Sequence, residues 1–232
     1  MASDKSIFCF HGVRSFMQIF GSDDPHLRVE PSWFYEWLDK AVNHYGVENM
    51  VVTFDDAYRD VMTPAVTSSN LGIRTIVFVP GYHVDSRIPG VPYDIMGSAD
   101  LIFIGKMGVE IGAHGWSHRP WSELGEDLFK DEAGDSLSFV EGINSAIFSE
   151  ESDMVVRSIK KIPVAPPHGD YSVFQYTWLM DRGYVEDVYG TVLYPALDSS
   201  GSPYMGIPRI LSSMAGYTDE PNFKTKKWPW EE

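Results

Sequence analysis

Three short stretches of the chain carry side chains suited to chemistry: Asp55-Asp56, His114-Gly-Trp-Ser-His118 and Pro166-Pro-His-Gly169. Each has an ordinary reading when taken alone. Paired aspartates after an apolar run commonly form a turn or a helix cap. Two histidines are commonly solvated or satisfied within a core, and Pro-Pro-x-Gly commonly makes a rigid turn. Taken together they read differently, because each directly follows a strand-like apolar run. Two neutral imidazoles and one carboxylate are a common ligand set for a catalytic divalent cation, with positions left for water and substrate. Successive side chains diverge at a strand end, so one aspartate can face a metal while its neighbour faces the substrate. The second carboxylate is then free to take a proton from water. That division of labour is metal-assisted hydrolysis.

The elements that must position these residues alternate in type. Continuous apolar runs at Ile7–Phe10, Met50–Phe54, Arg74–Val79, Val109–Ala113 and Ile162–Ala165 predict strands buried on both faces, with weaker patterns at Val185–Leu193 and Ile207–Leu211. Helix periodicity runs from Pro31 through Trp33, Phe34, Trp37, Leu38, Ala41, Val42 and Tyr45, with Gly46 as its end. Further helices are predicted at Tyr58–Asn70, Ala99–Met107, Leu137–Phe148 and Tyr171–Arg182. Strand–helix alternation implies parallel strands joined by crossovers. About seven units over this length predict a single α/β domain over residues 1–232, a (β/α) barrel with about seven parallel strands and a peripheral tail at 222–232. A doubly wound open sheet is the alternative. In both, functional residues gather at the carboxyl ends of strands, where these three clusters fall.

Composition narrows the function. The 232 residues are 44% hydrophobic and 14% aromatic, enough for one well-cored domain. Lys and Arg total 18 against 33 Asp and Glu, and the formal charge of −15 repels phosphate backbones, which argues against a nucleic-acid partner. No apolar run approaches the ~18 residues of a membrane helix, so no membrane partner is expected. Cys9 is the only cysteine and has no internal disulfide partner; in an apolar strand it reads as inert. The apolar stretch after the opening residues is too short for a signal peptide, and a cytoplasmic location is the expectation. No phosphate loop, nucleophile elbow or dinucleotide fingerprint is present. His26 and His44 read as surface residues, and His83 falls in a loop that reads as rim.

At this point the sequence resembles a known family. Thr53-Phe-Asp-Asp-Ala57, His114-Gly-Trp-Ser-His118 and Ala165-Pro-Pro-His-Gly169 are similar, in order and spacing, to the motifs of polysaccharide deacetylases, carbohydrate esterase family four. Phe10-His-Gly-Val13, Leu71–Val79, Gly108–His114 and Pro208-Arg-Ile210 extend the likeness over most of the chain. The resemblance implies a distorted barrel, a carbohydrate substrate and a divalent metal, zinc in most members and cobalt or nickel in some. It implies Asp55 as general base, and Asp56, His114 and His118 as metal ligands. It also implies an oxyanion held by the metal and a backbone amide, here that of His168.

The sequence departs from the family at several places. Ala57 replaces the usual glycine, and His168 stands where most members have tyrosine. Ala165 stands where many members have the arginine that orients the base. No histidine follows His168, so the usual late general acid has no counterpart, and His168, His11 and the protonated Asp55 itself are the candidates, with His168 preferred. Trp116, Tyr58 and His11 flank the expected mouth as candidate substrate-binding residues, and Trp121 flanks it too, with plain packing an equal reading of the aromatics. The leading expectation is removal of acetyl from amino sugars of a glycan or glycan precursor. Hydrolysis of another non-peptide C–N bond, in a small amide or imide, is one alternative. A catalytically silent carbohydrate-binding relative is the other. The sequence leaves the oligomeric state open.

Overall fold

The structure, a computed structural model, describes residues 5–13, 28–85, 94–148, 161–191 and 207–211. His26 and the tail at 222–232 lie outside them. Seven parallel strands close into a barrel in the order β1 (Ser6–Phe10), β4 (Met50–Phe54), β5 (Arg74–Val79), β6 (Glu110–Ala113), β7 (Ile162–Val164), β8 (Val185–Thr191) and β9 (Ile207–Leu211). β9 pairs back onto β1 through Phe8 with Ile210 and Cys9 with Leu211. Two short strands absent from the sequence reading, β2 (Gly12–Val13) and β3 (Arg28–Val29), pair separately. The helices are α1 (Pro31–Tyr45), α2 (Met62–Asn70), α3 (Ser98–Lys106), α4 (Glu126–Phe148) and α5 (Val173–Met180).

Strand alternation divides the core into two layers, because successive side chains point to opposite faces. Ile7, Val51, Ile76, Phe78, Ala165 and Tyr189 form one buried cluster inside the barrel. Phe78 and Tyr189 touch across the lumen, their ring centroids 5.4 Å apart, although β5 and β8 are not sheet neighbours. The alternate residues face outward and meet the helices. Phe8 and Phe10 pack edge-on against Trp37 of α1 at 5.0 and 4.8 Å between centroids. α1 buries Phe34, Trp37, Leu38 and Ala41, one stripe of a 3.6-residue period. Pro31 opens α1 and Gly46, at φ 77°, closes it.

Most elements lie within two residues of the sequence reading, and three helices differ by more in start or in length. The segment from Tyr58 does not enter a helix at once: Arg59–Val61 form a 3₁₀ turn, and α2 starts at Met62. α5 is trimmed to Val173–Met180, with Ser172 and Gln175 forming a reciprocal N-terminal cap. The largest difference is α4, which begins at Glu126 rather than at Leu137. Its early turns are rich in Asp and Glu and contain Gly134, which reads as a loop. Phe129, Ala133, Leu137 and Val140 nevertheless continue one buried stripe, and Glu126 and Asp127 suit the positive end of a helix.

Candidate active site

The barrel's hydrogen-bond ladder continues beyond the last residue of each strand and into the polar clusters. The N–H of Asp55 donates to Phe10 O at 2.8 Å, that of His114 to Val79 O at 3.1 Å, and that of Ala165 to Ala113 O at 2.8 Å. The residues singled out in the sequence are therefore mounted on sheet backbone at the carboxyl end of the barrel. His11 follows β1, Asp55-Asp56 follows β4, His114 follows β6 and His168 follows β7. One barrel mouth collects all three clusters.

Asp55 is nearly inaccessible, at 3% exposure, and faces Arg209 of β9. The Arg209 guanidinium donates to both of its oxygens, Nη1 to Oδ1 at 2.5 Å and Nη2 to Oδ2 at 2.9 Å. Arg209 is itself anchored: Nε donates to Gly190 O at 3.2 Å, and the guanidinium carbon lies 5.2 Å from the centre of the Phe78 ring. Burial alone would push the Asp55 carboxyl up, but Arg209, His114 and His11 outweigh it and hold the pKa at about 2. A guanidinium thus meets Asp55 from β9, while position 165 carries Ala. Pro208-Arg-Ile210 was visible as a motif, yet nothing in its spacing from Asp55 told that the Arg209 side chain crosses to that carboxylate.

Asp56 turns the other way. It has φ 68° and its Oδ1 lies 3.0 Å from His118 Nε2 and 3.4 Å from His114 Nε2. That oxygen is buried without a hydrogen-bond partner in good geometry. His114 explains part of this. Its Nδ1 lies 2.8 Å from the carbonyl oxygen of Ala165, which can only accept, so Nδ1 carries the proton and Nε2 presents a lone pair. A bare nitrogen and a carboxylate oxygen then face each other, an arrangement that calls for a cation between them. Ligand atoms of Asp56, His114 and His118 all lie within 4.8 Å of one another. The donor set and the orphaned oxygen fit a divalent cation. Burial works against ionised Asp56, but His114 and His118, which in their protonated forms donate to it, hold its carboxyl well below the ordinary range when no cation is bound.

Backbone strain is concentrated here. Of the five non-glycine residues with left-handed φ among the described residues, four are Asp56, Ala57, His118 and His168. Ala57, at φ 54°, occupies a conformation where the family's glycine would be at ease. Gly115, at φ 73°, lies between the two histidines, and a Cβ there would fall 2.8 Å from Pro167 Cγ. No other residue type fits that close approach without a shift.

The remaining candidates sort by position, and Trp121 is not at the mouth's surface: it is 1% exposed and packs edge-on against Phe129 of α4. His168 is exposed, and its ring lies 4.9 Å from that of His118. His11 is more enclosed: Nε2 lies 3.8 Å from Asp55 Oδ2, and Nδ1 is buried without a hydrogen-bond partner. Burial lowers the pKa of both imidazoles. Trp116 is half-buried, edge-on to Phe139 and Tyr82 at 6.1 Å each. Tyr82, which the sequence reading passed over, is the more exposed of the two, at 51%. Tyr58 bridges to Ile95 and is half-buried. Cys9 is fully buried beside this site, and burial pushes its thiol pKa up, in keeping with an inert side chain.

A closed parallel barrel with paired carboxylates and histidines at its carboxyl end matches known proteins in both sequence and fold. The sequence profile of the polysaccharide deacetylase family matches residues 44–148. The matched stretch contains Asp55, Asp56, His114 and His118 and stops before His168 and Arg209. In fold, the chain is similar to BC0361, a polysaccharide deacetylase from Bacillus cereus, with TM-score 0.58 and 14% identity over 80% of this chain and 57% of that one. It is also similar to IcaB from Ammonifex degensii, with TM-score 0.56 and 15% identity over 80% of this chain and 82% of that one. The Streptococcus pyogenes deacetylase PplD gives TM-score 0.56 and 15% identity over 80% and 83% of the two chains. The chain spans 57% of the length of the two Bacillus structures that it matches first. No curated protein matches the sequence. At these identities the structural likeness establishes the fold.

Proposed function

We propose that the chain is a metal-dependent hydrolase that removes acetyl groups from amino sugars of a glycan or glycan precursor. The observation that carries this reading is the split between two adjacent carboxylates at one barrel mouth. Asp55 is gripped by Arg209, and Asp56 is turned towards two histidines. Asp56, His114 and His118 would hold the cation, and one oxygen with two nitrogens suits zinc, with cobalt or nickel as substitutes. When bound, such an ion polarises a carbonyl and lowers the pKa of water from ~15.7 towards ~7.

The chain's own residues account for the rest. Asp55 is ionised near neutral pH, and the two-point grip of Arg209 fixes its orientation. Water adds to the acetyl carbon and Asp55 takes its proton. The backbone amide of His168 is the proposed donor to the tetrahedral oxyanion. The C–N bond then breaks as the nitrogen gains a proton, leaving acetate and a free amine. His168, exposed at the mouth beside His118, is the proposed proton donor, with His11 as its rival. PplD was solved in complex with acetate, the acid this reaction releases. The silent binding module was motivated by the missing late histidine and by Ala165; Arg209 beside Asp55 answers the second motive, and the rate of His168→Ala tests the first.

The test is turnover of acetylated chito-oligosaccharides by wild type, Asp55→Asn, His168→Ala and His11→Ala. Asp55→Asn keeps the shape but loses the basic oxygen, and its rate should fall by ~10²–10⁴ with metal still bound. An acid must be protonated to act, so the wild-type rate should fall as pH rises through the donor's pKa. His168→Ala should lower the rate and remove that basic limb. Full rate in Asp55→Asn would place the base elsewhere. Turnover of small amides without turnover of acetylated sugars would select the other C–N hydrolase reading.

A further inference from the structure

The loop from His114 to His118 carries two of the three proposed ligands, and hydrogen bonds with Gly81, Tyr82 and Glu132 hold it from outside. Glu132, on α4, reaches under the loop. The N–H of Ser117 donates to Glu132 Oε1, and the Ser117 hydroxyl lies 3.1 Å from Oε1 and 3.0 Å from Oε2. Both carboxylate oxygens are thus engaged by one residue, the immediate neighbour of His118. The same carboxylate approaches the far end of the loop, since a Cβ on Gly115 would lie 3.4 Å from Oε1. The side chain is held by a rigid element, because Phe129 and Ala133 of α4 are buried on either side of it. His118 itself has left-handed backbone, at φ 60°, a conformation that persists only when its surroundings impose it.

We propose that Glu132 is a positioning residue for the cation site: its carboxylate clasps Ser117 and so aims the His118 imidazole at the point shared with Asp56 and His114. The proposal rests on the metal-site reading above. Position, rather than negative charge, is what the geometry supplies. Groups that orient a ligand from outside the coordination sphere typically change metal affinity by ~10–100-fold when removed.

Zinc affinity, measured by chelator competition on the full chain, separates these ideas without reference to turnover. Glu132→Gln keeps length and an oxygen for the Ser117 N–H, and its amide can donate to the hydroxyl. Its affinity should remain within about threefold of wild type. Glu132→Asp keeps the charge but draws the carboxylate back by one methylene, and should lose ~10–100-fold, as should Glu132→Ala. The melting temperature of the metal-free proteins serves as the control for general destabilisation. Wild-type affinity in Glu132→Asp and Glu132→Ala would overturn the proposal. A weak Glu132→Gln beside a tight Glu132→Asp would also overturn it, in favour of a field effect. If Glu132→Ala does not fold, the Gln and Asp pair still decides. Wild type that binds no zinc would fail the metal-site reading itself, a result distinct from any difference among the variants.

Discussion

Asp55 and Asp56 are joined by a single peptide bond and have opposite surroundings. Asp55 points into the barrel and meets a guanidinium, whereas Asp56, with left-handed backbone, points at two imidazoles. Arg209 is what makes a buried carboxylate tolerable at Asp55. Its replacement therefore has a predictable sign. In Arg209→Met the burial of Asp55 is offset only by His114 and His11, so its pKa rises from about 2 towards the ordinary carboxylate value. Turnover in the variant should acquire an acidic limb in the weakly acidic range that wild type lacks, and kcat at neutral pH should fall by ~10²-fold or more for want of an oriented base. A pH–rate profile of the two proteins checks this, and superimposable profiles would remove Arg209 from the account. The metal-free fold gives a second readout. The folded pKa of Asp55 lies below its unfolded value, so its ionisation stabilises the protein above about pH 4. That contribution is lost as pH falls towards about 2 in wild type. It should be missing from Arg209→Met, whose acid unfolding should begin at higher pH. Arg209→Lys keeps the charge but not the two-point grip, and should lie between them.

At the scale of elements, the strands position the site and the turns after them shape it. Gly115 is the sharpest case, because its left-handed φ and the nearness of Pro167 leave no room for a side chain. Gly115→Ala should displace the loop between the two histidines. Zinc affinity should fall at least tenfold while the barrel's far-ultraviolet spectrum is kept; an unchanged affinity would show that the loop tolerates the shift. The same scale explains what was legible beforehand. Met50–Phe54 and Arg74–Val79 could be read to the residue, because strands buried on both faces are written as unbroken apolar runs. The start of α4 could not, because its buried stripe is diluted by acidic residues and Gly134, and Glu132 was hidden with it. Asp55, Asp56, His114, His118 and His168 could be proposed from sequence because each sits just past a strand. Arg209 lies within β9 and was legible only as part of a motif. Its partner is 154 positions away, and only closure of β9 onto β1 brings the two together.

For the whole molecule, the barrel has two chemically distinct ends. At the amino ends of the strands, Arg74 ties Glu110 at 2.8 Å and Glu186 at 2.7 Å into a charged plug, leaving the carboxyl ends to carry the site. No described helix is long and apolar enough to cross a membrane. The net charge of −15 favours cations over anionic polymers around the molecule as a whole. A cation bound only by the folded site also stabilises the fold by mass action. Zinc at 100 times its Kd should therefore add about 2.7 kcal/mol to wild type, read as a rise in Tm, and little to His114→Ala. An equal rise in both proteins would place the ion elsewhere. The central claim, that these residues and a divalent cation together hydrolyse an acetylated amino sugar, is tested most directly by acetate release. Acetate from N-acetylated chito-oligosaccharides should be measured with wild-type protein as purified, after chelation, and after zinc is restored. The account predicts release, its loss and its recovery, with stoichiometric free amine. Release that persists undiminished after complete metal removal, or no release from any acetylated sugar with zinc bound, would contradict it.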